Sequence, residues 1–212
     1  MPSFEGRELA CQRGERLLFH RLDFTLSEGE VLILVGANGS GKSSLLRLAA
    51  GLSRPAAGAL FWEDRDISRD LEAHHRRVIY LGHADGLKAG LTVRENLKFW
   101  CDLDGATASL EAALEIFDLT PLADLPARFL SAGQRRRVTL ARLALDRSQP
   151  AQLWLLDEPT TALDRDGQAV LSSLIERHRA AGGRVMLASH DPLPNIIGQR
   201  LRVDDHLAAV AA

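Results

Sequence analysis

The chain has 212 residues, 25% charged and 46% hydrophobic, with a formal net charge of −2, which describes one globular domain with a sizeable core rather than a disordered or strongly basic segment. The balance gives no global pull toward nucleic acid or anionic lipid, and no apolar run approaches the ~20 residues of a membrane helix. The opening Met1-Pro2-Ser3-Phe4-Glu5 lacks a signal-peptide pattern, and Cys11 and Cys101 form no C-x-x-C pair, so a reducing compartment is expected and a disulfide framework is not.

Leu9 to Glu15 reads as a strand and turn, and Leu22-Asp23-Phe24-Thr25-Leu26 alternates like a half-buried strand. Ser27-Glu28-Gly29 leads into Val31–Val35, a short apolar run of buried-strand type. Directly after it stands Gly36-Ala37-Asn38-Gly39-Ser40-Gly41-Lys42-Ser43, which fits the phosphate-loop pattern G-x-x-x-x-G-K-[ST]. Ser44 to Ala50 then reads as a helix ended by Gly51. A glycine-rich turn would account for the glycines but not for a strand before them and a helix after. Gly36, Gly39 and Gly41 let the backbone curl so that several N–H groups converge. The helix adds its positive end, so the stretch Gly36 to Ser44 is suited to cradle phosphate oxygens. Lys42 would reach the β- and γ-phosphates of a nucleotide, and the Ser43 hydroxyl would ligate Mg²⁺.

Beyond the loop at Arg54–Gly58, Ala59–Trp62 and Arg77–Gly82 read as strands, the second ending at His83. Thr92 and Glu95 form a capping box that starts a helix running to Asp102. Leu110, Ala113, Leu114 and Phe117 mark a second amphipathic helix, and a third is expected from about Ala132 to Asp146. Strand character returns at Gln152–Asp157, a helix follows over Arg165–Ala180 with Gly182-Gly183 closing it, and Arg184–Ser189 is the next strand. This order predicts an α/β fold: a mostly parallel sheet, N-terminal antiparallel strands and a helical insert. The whole of 1–212 is read as one domain, with a core of about 1–84 and 149–206 and a helical part of about 85–148; the last residues, from Leu207, are expected to be frayed or loosely docked.

Asp157-Glu158-Pro159 ends an apolar strand, which puts two carboxylates at the edge where a phosphate loop also lies in open α/β sheets. Asp157 would hold Mg²⁺ beside Ser43, and Glu158 would polarise a water for in-line attack on the γ-phosphate. As a mere strand end, Asp-Glu-Pro would be unremarkable; paired with the phosphate loop it reads as a site. Leu130-Ser131-Ala132-Gly133-Gln134 places an N-cap serine and an open glycine backbone at a second helix start suited to anions. Asp164 follows in Ala162-Leu163-Asp164, and His190 in Ser189-His190-Asp191 could hydrogen-bond the γ-phosphate or the attacking water.

In that order, GANGSGKS, LSAGQ, LLDEP, ALD and His190 resemble the five motifs of ATP-binding-cassette ATPases, over nearly the whole chain. The resemblance implies an ATP hydrolase using ATP and Mg²⁺, built as a head-to-tail homodimer with two ATP molecules sandwiched between copies. Ser131, Gly133 and Gln134 of one copy, with Asp164, would complete the site formed by Lys42 of the other, and His190 would be the switch histidine. It also implies integral membrane permease subunits as partners. Two departures from the family pattern matter. His83 stands where a glutamine usually touches Mg²⁺ and the attacking water, a role a neutral imidazole can fill only in part. Arg13 stands near the usual adenine-stacking aromatic, and a guanidinium can also stack on a planar base. Ala132 replaces the first signature glycine, a mild change.

Glu8–Gly14, Tyr80–Lys88 and Leu130–Val138 resemble the ATPases of the haem exporter in bacterial cytochrome c maturation. That implies a peripheral subunit at the cytoplasmic face of the inner membrane, working with haem-handling membrane and periplasmic proteins. The alternatives are the motor of another small-molecule or lipid exporter, and a soluble ATPase of the same family without a membrane partner, as in DNA repair or translation. A phosphate-loop kinase is disfavoured by LSAGQ and the Asp-Glu pair. His74-His75 point about 100° apart on a helix and are read as solvated, not as a haem site. Arg135-Arg136-Arg137 is read as a solvated helix face rather than a nucleic-acid patch.

Overall fold

A computed structural model describes residues 3–104, 110–147, 151–189, 193 and 195–207. β1 (Ser3–Arg13) and β2 (Arg16–Ser27) pair antiparallel around a turn in which Gly14 takes φ +60°. β4 (Ala57–Trp62) pairs with the other edge of β1, and the two-residue β5 (Arg65–Asp66) lies outermost, giving the order β2-β1-β4-β5.

The second sheet is parallel throughout. Its order is β6 (Val78–Leu81), β7 (Leu153–Asp157), β8 (Arg184–Ala188), β3 (Val31–Val35) and β9 (Gln199–Arg202). Strands covered on both faces need apolar side chains at successive positions, and every residue of β7 and β8 is buried. The period of two then sorts them. Leu153, Leu155, Met186 and Ala188 join one cluster with α1 (Lys42–Ala49) and the antiparallel sheet. Trp154, Leu156, Val185 and Leu187 face the opposite cluster, which contains α6 (Arg165–Ala180) and the insert helices. Each fully buried Leu or Phe there contributes roughly 1.5–3 kcal/mol.

Between β6 and β7 lie α3 (Val93–Asp104), α4 (Leu110–Ile116) and α5 (Ala132–Ala141). The Thr92 cap is present: Glu95 N–H donates to Thr92 Oγ1, and Thr92 N–H donates back to the Glu95 carboxylate. α5 is shorter than its apolar pattern suggests and tightens into a 3-10 turn at Arg142–Ala144. The short α2 (Leu71–Arg76), β5 and β9 carry too few residues for periodicity to reveal them. β9 runs on into a 3-10 turn, Val203–His206, whose Val203 is fully buried. Among the described residues no helix is long and apolar enough to cross a membrane.

Candidate active site

All strands of the parallel sheet point the same way, so their carboxyl ends share one edge. The end of β3 delivers the phosphate loop, the end of β7 delivers Asp157 and Glu158, and β6 leads to His83. The loop is possible because its glycines take conformations that L side chains avoid. Gly36, Gly39 and Gly41 have φ of +148°, +80° and +110°, and a Cβ on Gly41 would come within 2.9 Å of the Phe19 ring. Gly41 is also the N-cap of α1, so the helix begins at the loop and aims its free N–H groups into it.

Lys42 is 7% exposed and lies along the loop, its Nζ donating to Gly36 O at 2.7 Å and Ala37 O at 3.1 Å. Ser43 Oγ donates to Asp157 Oδ1 at 3.0 Å, so the hydroxyl and the carboxylate expected to act together are adjacent. Glu158 has φ +46°, a left-handed backbone rare for a non-glycine residue. That turn takes the chain off the strand immediately after Asp157, with Glu158 N–H donating to Ala188 O at 2.8 Å. A cleft of about 570 Å³ collects Arg13, Asn38, Gly39, Gly41, Lys42, Ser43, Ser44, His83 and Glu158. Of the anticipated loop residues, Gly36, Ala37 and Ser40 do not line the cleft, and Ser40 N–H donates to Ala37 O within the loop.

Ser131, Gly133, Gln134 and Asp164 are not among the residues lining this cleft. Ser131 caps α5 in a reciprocal box with Gln134. A Cβ on Gly133 would approach Ala162 O to 2.7 Å, so the helix start packs tightly on the segment leading to Asp164. Asp164 caps α6 by accepting from Gly167 N–H, which with the nearby Arg137 holds its carboxyl below the ordinary carboxylate range. His190 lies outside the described residues.

Sequence reasoning missed several residues of the site. Arg16, Leu18 and Thr161 also line the cleft. Arg16 sits opposite Arg13 across the first hairpin, so a two-residue turn at Gly14-Glu15 was the available signal. Asp204 accepts from Ala37 N–H at 3.0 Å and braces the loop from 167 positions away, where no local signal exists. Two solvated readings need correction. His74 is 1% exposed: its Nε2 pairs with Ala49 O at 2.8 Å, and burial pushes its pKa down to about 4. Arg136 is 3% exposed and bonded to four backbone carbonyls, while Arg135 and Arg137 stay partly exposed. Burial lowers the Arg136 pKa, opposed by Asp85, Asp157 and Glu158.

A model of the ABC transporter family matches residues 19–161, which include the phosphate loop, Ser131 to Gln134 and the Asp157-Glu158 pair. The chain belongs to the ABC transporter family. It is an ATP hydrolase of that family. The cytochrome c biogenesis ATP-binding export protein CcmA of Rhodospirillum rubrum is 52% identical over 97% of this chain and 87% of the relative. The protein of the same name from Paramagnetospirillum magneticum is 48% identical over 98% of this chain and 96% of its own. An ABC transporter ATP-binding protein from Pyrococcus furiosus shares the fold, with a TM-score of 0.81, 23% identity, and coverage of 97% of this ABC ATPase and 100% of that chain.

Proposed function

We propose that this ABC ATPase is the motor of an export complex serving c-type cytochrome biogenesis, coupling ATP hydrolysis to haem translocation or to release of a haem-loaded periplasmic chaperone. The likeness to the Rhodospirillum rubrum export protein, running over almost the whole chain, carries this reading. The proposed setting is the cytoplasmic face of the bacterial inner membrane, with the chain bound peripherally to permease subunits.

The proposed chemistry assigns each residue a task. Lys42 leaves the loop carbonyls to hold the γ-phosphate, while the α1 N-terminus and the loop amides hold the β-phosphate. The donor set fits Mg²⁺: Ser43 Oγ and Asp157 Oδ1 are hard oxygens on adjacent side chains, and this ion typically takes one or two carboxylates plus substrate phosphates. Bound there, Mg²⁺ would neutralise charge developing between the β- and γ-phosphoryl oxygens. Glu158 holds and polarises the attacking water, with His83 and His190 as further contacts to it or to the γ-phosphate. Arg13 is the adenine platform, with Arg16 beside it. Ser131, Gly133 and Gln134 close the same site on a second copy arranged head to tail.

A groove of about 750 Å³ adjoins the nucleotide cleft through Arg13, Ser43 and His83 and reaches Trp100 on α3 and Arg142 after α5. Its place between sheet and insert suits it to a permease segment, so that His83 senses both nucleotide and partner.

The test is a haem-stained gel of membrane c-type cytochromes from cells lacking the chain, complemented with wild type or Lys42→Ala. Loss of covalent c-type haem with b-type haem intact, rescued by wild type alone, is expected. Unchanged c-type cytochromes would leave an ATPase serving a different exporter.

A further inference from the structure

Arg136 sends its guanidinium to two separate segments of the site. Nη2 donates to Asp157 O and Glu158 O, both at 2.8 Å, and Nε donates to Pro159 O at 3.3 Å. Nη1 donates to Gly82 O at 3.1 Å and stands 3.9 Å from the Asp85 carboxylate. One side chain from α5 therefore grips the carbonyls around the candidate water-holding residue and also the segment that carries His83. Thr139 Oγ1, donating to Asp85 O at 3.0 Å, adds a second bond from α5 to that segment.

The gripped backbone is an unfavourable one. Glu158 adopts φ +46°, a left-handed conformation disfavoured for an L residue, so the bonds around it decide whether it is kept. Its N–H is fixed on Ala188 O, and its own carbonyl and those on either side are fixed on Arg136. Releasing the carbonyls lets the φ and ψ of Glu158 relax, and that rotation swings its carboxylate. A lysine cannot replace the grip, because a single ammonium lacks the planar fork that serves both segments together.

We infer that Arg136 is a positioning residue, which locks the left-handed backbone of Glu158, aims its carboxylate, and ties that setting to the His83 segment and to the helix capped by Ser131. The inference rests on the hydrolytic role proposed for Glu158.

The experiment is a double-mutant cycle on the chain purified with the membrane partner that accompanies it. Arg136→Lys, Glu158→Gln and the double variant are compared by single-turnover hydrolysis of labelled ATP, binding of a fluorescent ATP analogue, and thermal melting. Arg184→Lys, at another buried guanidinium that donates to Leu26 O, controls for a purely structural loss. Arg136→Lys should lower turnover by about tenfold to a hundredfold, the scale of a small misplacement at the reacting atoms, with analogue binding unchanged. In the Glu158→Gln background the same substitution should change the residual rate by less than about twofold, since the group it aims is gone. Multiplying losses, or an equal loss in Arg184→Lys, would make Arg136 structural only and overturn the inference. Should Arg136→Lys fail to fold, Arg136→Gln carries the same cycle. Wild-type turnover in Glu158→Gln alone would instead remove the role of Glu158 and this inference together, an outcome separable from the others.

Discussion

Lys42 shows how a single side chain reads the state of the site. Its ammonium is almost fully removed from water and satisfied by two loop carbonyls, Gly36 O and Ala37 O. A triphosphate offers it charged acceptors in their place, and a hydrogen bond between charged groups contributes about 1.5–3 kcal/mol. Lys42→Ala should therefore weaken binding of a fluorescent ATP analogue by about tenfold or more, with the melting temperature little changed; equal affinity would detach the lysine from phosphate binding. The loop was legible because its residues are contiguous and each glycine answers a backbone demand, such as φ +110° at Gly41. Arg136 was not legible. Three arginines in a row look like a solvated face, and nothing local says that the middle one is buried on the carbonyls of Asp157 and Glu158.

The same contrast holds for whole elements. α3 could be started correctly from its capping box and α5 from its N-cap serine, because a cap is a local bond between residues three apart. β7 and β8 could be found because burial on both faces forces an unbroken apolar run. β9 could not, since its residues are mostly exposed and it is held by pairing with β3 from far along the chain. The contact between α6 and β7 also sets a pH response. His178 stacks on Trp154 with ring centroids 4.0 Å apart, and burial, partly offset by its bond to Arg184 O, lowers its pKa from 6.5 to about 4. His74 is lowered to about 4 in the same way. The folded state thus prefers both imidazoles neutral, while the unfolded chain protonates them below about 6.5. Their stabilising contribution is complete above pH 6.5 and is lost as pH falls toward 4, by up to ~3 kcal/mol for each. His178→Phe keeps an aromatic ring against Trp154 without a titrating group, so the drop in melting temperature from pH 7 to pH 5 should be smaller than in wild type; an equal drop would exclude His178 as a source of acid sensitivity.

For the molecule as a whole, two hydrophobic clusters on opposite faces of one parallel sheet hold its carboxyl edge in place. That edge brings the phosphate loop, Glu158 and His83 to one cleft, with Asp157 bonded to Ser43 in the adjoining groove, whereas Ser131 and Gly133 belong to a helix start outside the cleft's lining. In the proposed head-to-tail dimer, that helix start reaches the cleft from a second copy. The most direct measurement combines sedimentation with ATP turnover for the Glu158→Gln chain, with and without MgATP. Nucleotide should bind without hydrolysis and hold two copies together, so a monomer without nucleotide becomes a stable dimer with it, while turnover falls by about a hundredfold or more. A Glu158→Gln chain that turns over ATP like wild type, or that stays monomeric when saturated with MgATP, would contradict the account.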